Sequence, residues 1–154
     1  MITLRLEGSE ELLRKLGGMT RELEAEFQRG VMTTAQNVES RVKNKLKGPV
    51  LNVRSGNLSK KWQTKAHGRL AAMVKTDVVY SRIHEFGGVM PPHRVAPRNR
   101  KALHWMAGGQ NRFSRGHMLP AIRIPERPYA RPSVAEEKPH MIERFRRIVQ
   151  RHIR

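Results

Sequence analysis

The chain of 154 residues carries 31 Lys and Arg against 13 Asp and Glu, a formal net charge of +18, and this length fits one domain over residues 1–154. It contains no cysteine, which excludes disulfides, thiolate metal ligands and cysteine nucleophiles. Its apolar runs are only a few residues long, whereas a membrane-spanning helix needs about 20. No secretory signal is expected, because no charged start is followed by an apolar block.

Hydrophobic periodicity predicts the first elements. Alternation over residues 2–6 predicts a short strand, and an N-cap followed by acids predicts a short helix over residues 9–16. A stripe of seven apolar residues spaced three or four apart then predicts one amphipathic helix from about Thr20 to Lys47. The stripe consists of Leu23, Phe27, Val31, Ala35, Val38, Val42 and Leu46. We expect this helix to lie across a sheet, and a partner-binding helix is the alternative.

The middle of the chain predicts a turn, a hairpin and a short helix. Arg54-Ser55-Gly56-Asn57-Leu58 is typical of a turn or a helix start. Two alternating runs, 62–66 and 70–78, are joined by a connection that contains Gly, and they predict a β-hairpin. Apolar residues then recur at helical spacing between residues 80 and 86.

Residues 89–128 contain six prolines, which exclude a long helix there. Short strands are expected around 102–106 and 118–124, whereas 107–116 is predicted to be a loop, mobile or ordered only by a partner. Residues 89–98 are expected to form an extended arm. A C-terminal amphipathic helix follows, starting at about Pro139, because proline is accepted in a first helical turn.

These elements predict the α+β class, with an antiparallel sheet on which the long amphipathic helix and the C-terminal helix pack. An extended Pro-rich arm and a loop accompany this domain as a basic insertion over residues 89–124. That insertion has seven Arg or Lys and no acid. Such a segment repels itself unless it meets nucleic acid, an acidic partner surface or counterions, and a solvated basic surface is an equally good explanation.

No motif of an enzyme is visible. The histidines at 84, 93, 104 and 117 are irregularly spaced. They form neither a helical His-x-x-x-His pair nor the His-Glu-x-x-His zinc motif, so no metal site is predicted. Nucleophile elbows, Walker loops and dinucleotide fingerprints are absent. We therefore predict no enzymatic activity, no catalytic residue and no cofactor. Recognisable nucleic-acid modules are also absent, so any DNA contact would depend on backbone electrostatics.

Several segments occur in a characteristic order. They are the 54–58 turn, then Tyr80-Ser81-Arg82-Ile83-His84-Glu85-Phe86-Gly87-Gly88, then Arg98-Asn99-Arg100-Lys101-Ala102-Leu103-His104-Trp105, and then Pro125-Glu126-Arg127-Pro128-Tyr129-Ala130-Arg131-Pro132-Ser133. The set, over residues 2–150, resembles the tail-completion or neck family of lambda-like long-tailed bacteriophages. That family shows a Thr/Ser-Gly-x-Leu turn, a Tyr-Ala…Glu-Phe/Tyr-Gly segment and a Pro-x-Pro-Phe-Leu-Arg-Pro-Ala box. Here Tyr129-Ala130 replaces Phe-Leu, and Ser133 replaces Ala.

The resemblance implies a structural virion protein that acts in tail completion and head–tail joining. It implies assembly with copies of itself as a ring at the neck or tail end, often six-fold in phage tails. The implied partners are neighbouring neck, tail-terminator or tail-tube proteins, with nonspecific contact to packaged DNA. The short apolar runs of the sequence predict no membrane partner. The protein would be made in the host bacterial cytoplasm and located in the virion. The alternative is a sequence-nonspecific nucleic-acid-binding protein, which composition alone favours.

Two sets of site residues follow. The candidate protein-interface residues are Tyr80, Glu85, Phe86, Arg127, Tyr129 and Arg131. The candidate contacts to a polyanion or an acidic partner are Arg94, Arg98, Arg100, Lys101, Arg112 and Arg115. For this second set the sequence favours an acidic protein surface, since ring assembly can use the charge without an element that reads bases.

Overall fold

A computed structural model describes residues 2–5, 21–48, 50–51, 56–99 and 101–152. These residues form nine strands and four helices, and the predicted α+β class is confirmed. The short helix expected over residues 9–16 lies outside the described residues, as does Arg100. None of the described helices is both long enough and apolar enough to cross a membrane.

A three-stranded antiparallel sheet forms the base of the domain. Its strands are β1 (Ile2–Arg5), β2 (Gln63–Ala66) and β3 (Ala72–Thr76), in the order β1-β3-β2. Ile2 pairs with Thr76, and Ala66 pairs with Ala72 next to the hairpin connection. Side chains of β3 alternate between buried and half-buried positions, because successive residues of a strand point to opposite faces. The predicted N-terminal strand and hairpin are confirmed.

The long helix α1 (Arg21–Lys45) covers this sheet. Every residue of the predicted apolar stripe is buried except Leu23, which is half-buried. The stripe packs with Ile2, Ala72 and Val74 around Trp62, whose side chain is fully buried. A one-turn helix, α2 (Asn57–Lys60), precedes Trp62. The sheet-covering role predicted for the stripe is thus confirmed.

The C-terminal helix α4 (Ala130–His152) packs along α1. Phe27 and Phe145 stack with their ring centroids 5.3 Å apart. Gly30 permits this close approach, since a Cβ there would come within 3.0 Å of the Phe145 ring. The predicted start at Pro139 is wrong: the helix begins at Ala130, and Pro139 lies inside it. A side chain of the short helix α3 (Ser81–Phe86) accepts a hydrogen bond from the backbone N–H of Ala130, the first residue of α4.

The described residues between 88 and 124 form short two-stranded antiparallel segments, hereafter together called the ribbon. Three nested pairs build it: β4 (Gly88–Met90) with β9 (Ile122–Ile124), β5 (His93–Val95) with β8 (His117–Leu119), and β6 (Leu103–Ala107) with β7 (Gln110–Ser114). The turn between β6 and β7 is Gly108-Gly109, with φ of 59° and 75°. Two central residues with positive φ are typical of the tight turns that join hairpin strands.

The ribbon corrects two predictions. The expected loop over residues 107–116 contains a tight turn and the whole of β7, and the expected arm over residues 89–98 contains most of β4 and all of β5. The strands are short, and most partners lie far away in sequence; Gly88, for example, pairs with Ile124. Alternation within one strand cannot reveal such a partner, so the sequence indicated irregular structure instead.

Candidate assembly interface

The carboxylate of Glu85, at the end of α3, caps the N-terminus of α4. Its Oε2 accepts hydrogen bonds from the backbone N–H groups of Tyr129 (2.8 Å) and Ala130 (2.9 Å), and its Oε1 accepts one from Arg131 (2.9 Å). The first N–H groups of a helix have no partner within the helix, and a negative charge is stabilised at that end. This cap, supplied by a residue 44 positions away, explains why α4 starts before Pro139.

Tyr129 ties the same two segments together through its side chain. Its hydroxyl donates a hydrogen bond to the backbone carbonyl of Ser81 at 3.0 Å, and its ring meets Trp62 edge to face at 6.0 Å. Burial, helped by the charge of Glu85, raises the pKa of Tyr129 above its ordinary range, so the phenol stays a donor. The backbone N–H of Arg127 also donates to the carbonyl of His84 at 2.9 Å.

We call residues 80–86 and 127–133 together the capped box. Two of the predicted interface residues, Glu85 and Tyr129, are fully buried in it. Their polar atoms bond within the chain, so the expectation that they contact a partner is corrected: they hold the fold together. The sequence alone does not distinguish a buried carboxylate at position 85 from an exposed one, because the hydrogen-bond partners of Glu85 are backbone groups that are distant along the chain.

The other four predicted interface residues lie at the surface of the capped box. Tyr80 is 43% exposed and Phe86 is 50% exposed, and both Arg127 and Arg131 are exposed. The guanidinium carbon of Arg131 lies 4.9 Å from the centre of the Phe86 ring, and the same side chain forms ion pairs with Glu126 and Glu85. Hydrogen bonding to Glu126 raises the pKa of Arg131. An aromatic ring is thereby held at the surface beside a fixed cation.

Two further exposed apolar side chains flank α3 and were missed by the sequence reasoning. Val79, just before the helix, is 88% exposed, and Val89, just after it, is 63% exposed. Exposed apolar groups that recur around one element are a common mark of protein contacts. The exposure of these two valines is hard to predict from the sequence, because the alternation of apolar and polar residues does not show which face of a short segment is exposed to solvent.

Gly87 connects the capped box to the base of the ribbon. Its φ is +67°, and a Cβ there would lie only 2.9 Å from the backbone nitrogen of Glu126. Both features favour glycine. The two strands of the ribbon therefore leave the box side by side, through Gly87 on one strand and Glu126 on the other.

The predicted polyanion-contact residues are distributed along the ribbon. Arg94 lies in β5 and Arg112 in β7, while Arg98, Lys101 and Arg115 lie between strands. Arg123, in β9, is a further exposed cation that the sequence reasoning did not single out. All the ion pairs found among the described residues lie outside the ribbon. The charge of the ribbon is thus left without acidic partners in the described part of the chain.

The described residues offer little chemistry besides these surfaces. No group of three or more His, Asp or Glu among them could hold a metal ion. A shallow groove of about 500 Å³ lies between α1 and α4. Three of its arginines, Arg144, Arg147 and Arg151, already pair with glutamates of the same helices. The groove therefore presents mixed and mostly compensated charge.

No protein-family model, no curated protein and no solved structure matches this chain significantly. The resemblance to tail-completion proteins consequently depends on the quoted motifs alone. Two of these motifs, at 80–88 and 125–133, meet in the capped box. The 98–105 stretch lies in the ribbon, and Leu58 of the 54–58 turn packs against the main core.

Proposed function

We propose that the protein is a structural component of a tailed-phage virion that acts in tail completion and head–tail joining, as a ring at the neck or tail end. The observation that carries the proposal is the capped box. Glu85 and Tyr129 come from separate motifs of the family resemblance, and both are fully buried where these motifs meet. Motifs that interlock in this way belong to one structural unit, as expected if they were inherited together from such a family.

The division of the chain into a packed body and a ribbon that makes few contacts with that body supports the same function. The body contains the main core and a buried carboxylate, Glu137, which accepts hydrogen bonds from Asn37 (2.8 Å) and Arg41 (3.0 Å). The ribbon pairs chiefly with itself, and no described helix or sheet strand makes an extensive contact with it. A two-stranded ribbon is only marginally stable alone in water, so a partner is expected to complete it.

The exposed side of the capped box is the surface that we assign to neighbouring subunits of the ring. Tyr80 and Phe86 supply aromatic surface, and Arg127 and Arg131 supply planar donors. Tyr and Arg are among the residues that contribute most to protein–protein binding energy. Phe86 has an additional advantage, because its contact with Arg131 fixes the ring before a partner arrives, and pre-organisation lowers the entropy cost of binding.

The decisive experiment is deletion of the gene from the phage that encodes it, followed by electron microscopy of the lysate. We expect filled heads and separate tails that fail to join, together with recovery of joined particles when the protein is supplied in trans. Mass spectrometry of purified wild-type particles should detect the chain. Normal infectious particles without the protein would refute the neck assignment.

A variant pair tests the interface on the box. Tyr80→Ser with Phe86→Ser should abolish complementation, because it removes the exposed aromatic surface while leaving Glu85 and Tyr129 in place. Val134→Ser with Ile142→Ser is the matched control, since these residues of α4 are 38% and 47% exposed and remove a comparable apolar area elsewhere. Equal complementation by the two variants would show that the box surface is not the subunit contact.

A further inference from the structure

We infer that the ribbon is a binding arm for duplex DNA. The ribbon lies in a groove of the duplex, with its cations on the phosphates and the side chains near its tip against the bases. The chemical partner is a regular polyanion with grooves. This inference does not depend on the virion assignment, because it concerns the purified chain. It commits the basic segment to DNA, where the sequence alone favoured an acidic protein.

The charge of the ribbon fits phosphate better than a protein surface. Six described cations are exposed, and none forms an ion pair with another described residue; they are Arg94, Arg98, Lys101, Arg112, Arg115 and Arg123. Outside the ribbon, several cations such as Arg41, Lys45 and Arg144 are paired with glutamates, although exposed lysines such as Lys47 and Lys60 form no ion pair with a described residue. DNA binding depends on many contacts between cations and phosphates, and the planar guanidinium of arginine, the residue at five of the six ribbon positions, matches the geometry of a phosphate.

The dimensions of the ribbon also fit. The major groove of B-DNA admits a two-stranded β-ribbon. That groove is about 12 Å wide and about 8.5 Å deep. The outermost pair, β6 with β7, provides five paired positions, which correspond to about 17 Å at about 3.4 Å per residue. The outer end of the ribbon can therefore enter the groove over part of a helical turn, with long cationic side chains reaching the phosphates beside it.

The end of the ribbon carries groups suited to base contact. Phe113 and Met106 are each 69% exposed, and the Phe113 ring stacks on His104 with centroids 4.9 Å apart. His104 in turn shares a hydrogen bond with Asn111 at 2.8 Å. In the major groove, apolar side chains such as Phe can contact the methyl group of thymine, and the amide of Asn can bond to the edge of adenine. Phe113 is thus presented as a rigid aromatic group beside polar ones.

The opposite face of the ribbon is more sheltered. Trp105 lies across from Arg112 in the register and packs against His117, with ring centroids 5.2 Å apart. It is 39% exposed, against 69% for Phe113. Since neighbouring residues of a strand point to opposite faces, Phe113 and Met106 share the other face. That more exposed face is the one assigned to the bases.

The test is fluorescence anisotropy of a labelled 20-base-pair duplex of mixed sequence, titrated with the full chain between 50 and 200 mM salt. The ribbon variant replaces Arg94, Arg98, Lys101 and Arg112 with Gln. The matched control replaces Lys47, Lys60, Lys61 and Lys65 with Gln; these lysines are exposed and outside the ribbon. Both variants have a net charge of 18 − 4 = +14, so only the location of the lost charge differs.

We expect the affinity of the wild-type chain to fall about 10³-fold over this salt range, as for about six phosphate contacts, and that of the ribbon variant only about 10-fold, as for about two. At 100 mM salt the ribbon variant should bind at least tenfold more weakly than the control. Phe113→Ser with Met106→Ser should weaken binding without changing the salt dependence, because these substitutions remove no charge.

Three results would overturn the inference. The first is no binding of the wild-type chain at 50 mM salt. The second is an equal loss in the ribbon variant and the control, which would assign binding to diffuse charge. The third is competition by poly-glutamate as effective as that by unlabelled duplex, which would assign the ribbon to an acidic protein. Failure of the neck assignment in phage lysates would leave all three measurements unaffected.

Discussion

Replacing Glu85 with alanine tests whether the capped box determines where α4 begins. The side chain is fully buried, and its carboxylate accepts three backbone N–H groups at 2.8–2.9 Å, from Tyr129, Ala130 and Arg131. Alanine would leave all three donors without that acceptor. It would also remove the negative charge from the positive end of the helix dipole.

The expected cost is a loss of about 3–5 kcal/mol in the free energy of unfolding. Loss of an ordinary N-cap costs about 0.5–2 kcal/mol, but here three donors share one charged acceptor. Hydrogen bonds to charged groups are worth about 1.5–3 kcal/mol each. The total stays below the simple sum, because water can reach donors on the partly exposed side of Arg131. Glu85→Gln should cost less, since the amide keeps the shape and one of the two acceptor oxygens.

Equilibrium unfolding in urea, followed by circular dichroism, measures this loss. Amide hydrogen exchange adds a local measurement: protection of the Tyr129, Ala130 and Arg131 amides should fall more than that of the amides at the centre of α1. The control is Glu126→Ala, which removes another carboxylate paired with Arg131. Because that pair is exposed, and exposed ion pairs contribute little, the control should unfold at nearly the wild-type urea concentration.

A loss of less than about 1 kcal/mol for Glu85→Ala would contradict this reasoning, since it would be no larger than that for one ordinary surface hydrogen bond. Equal effects of Glu85→Ala and Glu126→Ala would contradict it as well. In that case the start of α4 would be fixed by the packing of Tyr129 on Trp62, and the carboxylate would be incidental to it.

Three other predictions concern stability and order. Phe27→Ala should lower the free energy of unfolding by about 3–5 kcal/mol, because its ring is buried against Phe145; an unchanged melting temperature would mean that the stripe is not core. Although burial acts to raise the pKa of Glu137, hydrogen bonds from Asn37, Arg41 and Arg144 lower it below the ordinary value of 4.5. The wild-type chain should therefore lose stability as the pH falls through and below that value, and Glu137→Gln should lose less between pH 5 and pH 3. In the free protein, trypsin should cut first at Lys101 or Arg115, between strands, and later at Arg112 within β7. All three sites should become protected in assembled particles, and an unchanged cleavage pattern on assembly would refute the expected ordering by partners.

The sequence alone determined the elements whose signal is local. The seven-residue stripe of α1 predicted both a helix and its buried face, because a period of 3.6 residues can be recognised without a partner. The hairpin of β2 and β3 was equally visible, since its two alternating runs are adjacent. The charge of residues 89–124 was also evident from composition.

Only the tertiary structure decided the features that depend on distant partners. Glu85 resembled an interface residue in the sequence, yet it caps a helix that starts 45 residues later, at Ala130. The start of α4 was misplaced for the same reason, since no N-cap is encoded next to it. The ribbon was interpreted as an arm and a loop, because three-residue strands pair across up to 36 positions, as Gly88 does with Ile124. Local patterns specify which face of an element is apolar, but the group that satisfies a backbone N–H is determined by the whole fold.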